Sequence, residues 1–480
     1  MIRVAIVHYH LRPGGVTRVI ANALKSLANT DVEALVMTGE LPDSTGVFSE
    51  FPVSVVPGLA YREDVDTDAG QQLEQDLINA AQRHWGAPPD IWHWHNHSLG
   101  KNVHAPDAVY RLATEQSSRL LLQMHDFAED GRPDNYRRQR SFSYPLYPQA
   151  AHIHYAVLNG RDASILQASG WPRERLHLLA NAVAIDTAAA KPLVQPAGFD
   201  RLFLYPTRAI RRKNLGEICL HAMAAESGDG FATTLLPSNP EWQSIHADWQ
   251  RFAFKMKLPI RFGVGEYGNT SFEQWIASSY ALVTTSIAEG FGLAFLEPFL
   301  FDKPIRGRKL TEITRDFEAK GLDLSELYSE CRVPREAVDL SFLRDRITRS
   351  LEKTLSAFGL PPDSSLSRSI LNSMVNERGI EFGRLDEPLQ QSALFEIRNS
   401  RRLRSRWRPP SLTQAVDQDR LQRNKACIEE HYGLKAYGRR LYQLYSTLLS
   451  CEACPLETLI EPQTLVREFL SPERYNLLRD

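Results

Sequence analysis

Cysteine is scarce. The 480 residues hold five, Cys219, Cys331, Cys427, Cys451 and Cys454, an odd and scattered set that excludes a disulfide framework and suits a reducing compartment. Long apolar runs are missing too. No uncharged stretch approaches the roughly 18 residues that span a bilayer. Met1–His8 runs straight into a Pro-Gly-Gly turn, without the longer apolar region and cleavage site of a signal peptide. Neither sign of charge prevails: Lys plus Arg is 56, Asp plus Glu is 58, and the formal net charge is −2. That balance argues against a chain built mainly to grip nucleic acid or an anionic membrane, and leaves room for local basic patches. There is no internal repeat and no low-complexity tract. At 43% hydrophobic and 24% charged, the expectation is a soluble, cytoplasmic protein, too long for one core.

What is present is an alternation. β-rich runs at 3–7, 32–37, 91–95, 120–124 and 154–158 are interleaved with helical spacing, as in Val16, Val19, Ile20, Ala23, Leu24 and Leu27. After an Ala/Pro/Gln/Gly stretch at 184–200 the alternation restarts, with strands at 202–205, 233–236, 260–264 and 281–285 and a helix at 215–225. This predicts two α/β, doubly wound units, 1–190 and 200–415, with a ligand crevice at the C-terminal strand edges. Residues 309–410 read as a charged, helical elaboration without clear strands, and 416–480 as closing helices.

The chemistry-bearing residues sit where strands end. In Thr285-Ser-Ile-Ala-Glu289-Gly290-Phe291-Gly292-Leu293-Ala-Phe-Leu-Glu297 a strand passes through a glycine turn toward an expected helix near Leu293. Unpaired N–H groups at such a start can take an anionic or hydroxyl-rich ligand, and Glu289 and Glu297 can accept hydrogen bonds from sugar hydroxyls. Arg208 and Lys213, in Thr207-Arg208-Ala-Ile-Arg-Arg-Lys213-Asn214, combine a fixed fork with a mobile point charge for phosphate, with Arg211 and Arg212 read as solvated. Arg12-Pro13-Gly14-Gly15 opens the first helix and lets a ligand approach the backbone. His125 and Asp126 end the strand 120–124. His93, His95 and His97 alternate along another, spacing that suits either a metal or a wall of an acceptor site; no Asp, Glu or Cys nearby completes a ligand set. Cys451-x-x-Cys454 lacks both a second pair and a βαβ start, and reads as ordinary helix cysteines.

The Glu289-x7-Glu297 pattern around Glu-Gly-Phe-Gly resembles the GT-B retaining glycosyltransferases of the family-4 type. The Arg208-x4-Lys213-Asn214 run and the Gly14-Gly15 loop are similar to theirs as well. The resemblance touches residues 1 to about 305 and about 420 to 450. It implies a GT-B fold with a closing helix that crosses back to the first domain. It implies a nucleotide diphosphate sugar as donor, a hydroxyl acceptor (sugar or small molecule), and transfer of a hexose with retention. The roles it implies are Glu289 on the donor sugar, Glu297 on the ribose, and the backbone of Phe291, Gly292 and Leu293 beside the donor. Arg208 and Lys213, with Gly14 and Gly15, would face the diphosphate, and His125 the reacting centre. His95, Asn96 and Asp126 would lie on the acceptor side, with Gly265, Glu266 and Tyr267 as the loop for the base. No Asp-x-Asp stands at a strand end, so no metal and no cofactor are expected. Alternatives are a disaccharide phosphorylase of the same fold or a non-catalytic sugar-nucleotide binder. One departure is Arg306-Gly-Arg308-Lys309, where the family has small residues, which puts sugar and acceptor preference in question.

Overall fold

The computed structural model describes residues 1–41, 47–140, 145–185, 191–194, 196–266 and 269–479. Part of the expected linker at 184–200, and Tyr267, lie outside them. The chain divides into two compact units: 1–184 with 357–360 and 430–470, and 185–356 with 361–429 and 471–480.

The first unit is built on a seven-stranded parallel sheet. Its strands are β1 (Ile2–His8), β2 (Val32–Thr38), β3 (Val53–Val55), β4 (Ile91–His95), β5 (Leu120–Met124), β6 (Ile153–Val157) and β7 (Leu176–Leu178), in the order β3-β2-β1-β4-β5-β6-β7. The order reverses between β1 and β4, where Val4 registers with Ile91 and Val7 with Trp94. Doubly wound sheets bind ligands at that switch point, beyond the strands' C-terminal ends. β4, β5 and β6 are buried along their whole length, as the continuous apolar runs of a sheet covered on both faces require.

Helix α1 (Gly15–Leu27) buries Val19, Ile20, Ala23, Leu24 and Leu27, the stripe its spacing foretells. The helix Leu434–Leu449 packs on it so closely that a Cβ on Gly438 would lie 2.5 Å from Ser26 O; only glycine allows that approach. Among the closing helices expected over 416–480 are two, Gln418–Tyr432 and Leu434–Leu449, separated at Gly433. Cys451 and Cys454 follow the second helix rather than lying in it: Cys451 Sγ is 3.6 Å from His154 Nε2.

The second unit carries a five-stranded parallel sheet: β8 (Arg201–Arg208), β9 (Asp229–Leu235), β10 (Ile260–Arg261), β11 (Ala281–Thr284) and β12 (Ile305–Gly307), ordered β10-β9-β8-β11-β12. Its switch point lies between β8 and β11. The region 309–410 is helical as expected, but it also holds a small antiparallel sheet, β13 (Arg332–Val333), β14 (Val375–Asn376) and β15 (Gly379–Glu381), with β15 central. Strands of two or three residues carry too little periodicity to be read in advance. No helix among the described residues is long and apolar enough to cross a membrane.

Candidate active site

In the second unit the chain leaves β8 at Arg208, makes a short turn at Arg211–Lys213, and enters the helix Leu215–Met223 through Asn214, whose φ of 53° is left-handed. This turn brings Lys213 to Glu289, beyond β11. The Lys213 ammonium donates to Glu289 Oε1, and Arg212 Nη1 to Glu289 Oε2 (3.0 Å) and to Ala288 O (2.8 Å). Glu289 is 10% and Lys213 13% exposed, so the pair is dry enough for its charges to be felt strongly. Burial works to raise the Glu289 carboxyl, and Lys213 and Arg212 more than reverse it, leaving it below its ordinary range. Burial lowers Lys213, against the opposing pull of Glu289. Glu289 is thus held as a carboxylate, and Lys213 is a partly desolvated cation paired with it.

Arg208 stands apart. It is exposed, with Nη1 on Leu236 O at 3.0 Å, and no hydrogen bond joins it to Lys213 or Glu289 among the described residues. The helix expected near Leu293 is a 3-10 turn, Leu293–Phe295, followed by four α-helical residues, Glu297–Leu300, with Pro298 in their first turn. Asp302 at φ 54° stops it. A piece that short has little macrodipole, so its pull on an anion rests on local N–H groups. Gly292 (φ 96°) makes the turn, and a Cβ there would crowd Ile313 and Phe295 at 3.0 Å. Phe291 is 6% exposed against Phe317, which leaves its backbone, not its ring, to meet a ligand. Glu297 is partly buried and opens the short helix.

Arg211 and Arg212 are not solvated, as the sequence suggests, but engaged. Arg211 makes a bidentate pair with Glu387 (2.7 and 2.9 Å), while Gln390 Nε2 donates to Asn214 Oδ1 (2.9 Å). Both partners lie in the first turn of Glu387–Asn399. Behind them Arg308 grips Glu217 (2.6 Å) and Glu381 (2.6 Å), and Tyr328 donates to Glu217 (2.8 Å). The Arg306–Arg308 departure is therefore structural. Arg306, fully buried, pairs with Glu326, and Arg308 ties the elaboration to the Lys213 turn. Spacing along the chain could not reveal these partners.

In the first unit, the ends of β1, β4 and β5 gather imidazoles. His95 Nδ1 lies 2.8 Å from His125 Nε2 with the rings stacked at 5.1 Å, so one ring donates to the other. Asn96 (φ 56°) accepts from the backbone N–H of His125 (2.7 Å) and Asp126 (3.3 Å), and Tyr9 donates to Asn96 O (2.5 Å). His95 is fully buried and Asn96 nearly so; both sit behind His125 and aim it, rather than lining a surface. Asp126 is half-exposed and paired with Arg132 at 2.6 Å. His97 falls in the turn after β4, not on the strand, and meets Leu146 O (2.9 Å); His93 bonds Tyr445 and Gln123. No group of three metal-ligating side chains occurs among the described residues.

At the start of α1, an added Cβ on Gly15 meets nothing within 4 Å and on Gly14 only Arg12 O at 3.7 Å. The protein's own packing therefore demands glycine at neither position. Helix α1 has no side-chain cap and no acid in its first turn, so its first N–H groups are open to an anion.

The buried imidazoles carry a pH consequence. Burial first, then neighbouring cationic rings, takes His8 to about 3, and burial alone dominates in His93 (about 3), His97 (about 4) and His125 (about 4). The unfolded chain protonates near 6.5, so it binds protons first as pH falls. Stability is full above pH 6.5 and is lost between 6.5 and the folded values, at about 1.4 kcal/mol per pH unit for each ring. Thermal melts of the first unit's signal are expected to fall steeply from pH 7 to 5; an unchanged midpoint would refute neutral burial.

No family model matches this sequence. The chain is 26% identical over 419 residues to the mannosylglucosyl-3-phosphoglycerate synthase of Petrotoga mobilis, covering 82% of this chain and 80% of that protein. Among solved structures it is similar to Anabaena HepE in complex with UDP-glucose (TM-score 0.54, 14% identity, 93% of this chain and 100% of that one). It is similar too to the sucrose-phosphate synthase of Thermosynechococcus elongatus (TM-score 0.51, 12%, 94% and 100%). The chain has the GT-B fold. In this chain the two switch points, not the elaboration, carry the residues singled out by motif.

Proposed function

We propose that this enzyme moves a hexose from a nucleotide diphosphate sugar to a hydroxyl of a small acceptor, with retention of anomeric configuration and without a metal or cofactor. The observation that carries the reading is the buried Lys213–Glu289 pair at the switch point of the second sheet. Lys213, with Arg208, offsets charge building on the departing diphosphate. Glu289, kept ionised, accepts hydrogen bonds from donor hydroxyls, and Glu297 from the ribose. In the first unit the Gly14-Gly15 backbone and the α1 N–H groups suit a phosphate. His125, neutral and held by His95 and Asn96, hydrogen-bonds the reacting hydroxyls, with Asp126 beside it. UDP-glucose in HepE supports the donor class, and the phosphoglycerate product named for the Petrotoga relative supports a small acceptor over a polymer.

Calorimetric titration with UDP, GDP and ADP tests this. One nucleotide is expected to bind, and more weakly to Glu297→Ala. Turnover is expected to survive EDTA, and the product's anomeric proton coupling to match the donor's. Silence toward all three nucleotides with phosphate-dependent cleavage of a disaccharide would establish the phosphorylase instead. Silence in both assays would leave a non-catalytic binder.

A further inference from the structure

The chain is nearly neutral, yet residues 398–408 hold six arginines and no acid. Ser400 caps the helix Arg401–Arg406 by accepting from Leu403 N (3.2 Å). The helical period sends its arginines two ways. Arg402 turns outward to Glu336 (3.6 Å). Arg401 and Arg404 share one face and, with Arg398 from the preceding helix and Arg408 beyond the helix end, line an open groove of about 480 Å³. The groove has an apolar floor that includes Ile397 and Trp407, and Trp407 is locked by Nε1 donating to Arg332 O at 2.7 Å. Arg408 is spent on the backbone, donating to Arg404 O and Trp407 O. Among the described residues the guanidinium groups of Arg398, Arg401 and Arg404 have no hydrogen-bond or ion-pair partner. Elsewhere in the same unit Arg201, Arg211, Arg306, Arg308 and Arg346 all rest on carboxylates.

Like charges one helical turn apart repel, and a concave wall of one sign concentrates the field at its mouth. Guanidinium forks match phosphate oxygens in pairs, while a fixed indole over an apolar floor suits a carbon skeleton. We propose that this groove is a second ligand site, for a small organic phosphate bearing at least two negative charges. It is separate from the Lys213 turn: the helix Leu215–Met223 starts at that turn and ends at the groove, where Met223 contributes to the wall. At 1.5 Å per residue the two ends lie roughly 13 Å apart.

The test is calorimetric titration with inorganic pyrophosphate and with fructose 1,6-bisphosphate. The proteins compared are wild type, Lys213→Ala, Arg401→Glu/Arg404→Glu, and the milder Arg398→Gln/Arg401→Gln, with melting curves confirming that each is folded. Lys213→Ala is expected to retain a salt-sensitive binding event that both arginine variants weaken by roughly tenfold or more. The fructose ester is expected to bind more tightly than pyrophosphate, because only it uses the apolar floor. No binding to Lys213→Ala, or equal binding to the arginine variants and wild type, would overturn the site. Cosedimentation with anionic phospholipid vesicles, lost in the arginine variants while neither soluble phosphate binds, would overturn it in favour of a membrane-facing surface. Nucleotide titration of wild type reports on the Lys213 turn independently.

Discussion

Lys213→Ala is expected to lower kcat/KM roughly 10²–10³-fold, the usual effect of removing one preorganised donor from a developing charge. The side chain has no substitute nearby. Arg208 is exposed and held on Leu236 O, and Arg212 is occupied by Glu289 and Ala288 O. The loss should fall mainly on kcat, because a cation kept partly desolvated gains most when full charge appears on the leaving group. Lys213→Arg should recover little: a planar fork does not fit where a compact ammonium sits against one carboxylate oxygen. The measurement is steady-state kinetics with whichever nucleotide sugar the titrations select. An unchanged kcat/KM in the alanine variant would remove Lys213 from the mechanism.

Arg308→Met is expected to cost the second unit about 3–5 kcal/mol, the penalty for leaving buried carboxylates without their cation. Arg308 is 7% exposed and meets Glu217, 0% exposed, and Glu381, 6% exposed. Glu381 also accepts from the N–H groups of Cys331 (3.0 Å) and Gly383 (3.2 Å), so its charge cannot relocate without breaking β15's surroundings. Urea denaturation should show a lower midpoint for Arg308→Met. The triple variant Arg308→Met/Glu217→Leu/Glu381→Leu should be less damaged than the single one, since no orphan charge remains. If the single variant is as stable as wild type, the network contributes nothing.

The two predictions divide along what a reader of the sequence can see. The loop positions of Lys213 and Glu289 are legible because each follows a strand that buries an apolar run. Helix α1 was visible from its stripe. The Arg308 cluster was not: its members lie 91 and 73 positions from their partners, and no local period announces a buried cation. Nor was the depth of His95, expected to line the acceptor side and found fully buried, because alternation assigns a face, not a depth. β3 and β7, three residues each, are too short to register. The helix near Leu293 failed for a local reason, since Pro298 and the left-handed Asp302 leave room for one turn only.

The last stretch of the second unit bears on how the protein is made. Residues 471–479 return to that unit after the chain has served the first. Arg474 pairs with Glu312 (2.8 Å), Asn476 donates to Gly383 O (2.9 Å), and Arg211 and Arg384 donate to the carbonyls of Leu477 (3.3 Å) and Tyr475 (2.9 Å). A ribosome releases its product from the N-terminus onward. The turn that carries Lys213 therefore emerges more than two hundred residues before the carbonyl that helps hold its neighbour Arg211. Synthesis of the second sheet and completion of the Lys213 turn are separate events, and nascent chains stalled before residue 471 should fold that sheet without its final lock.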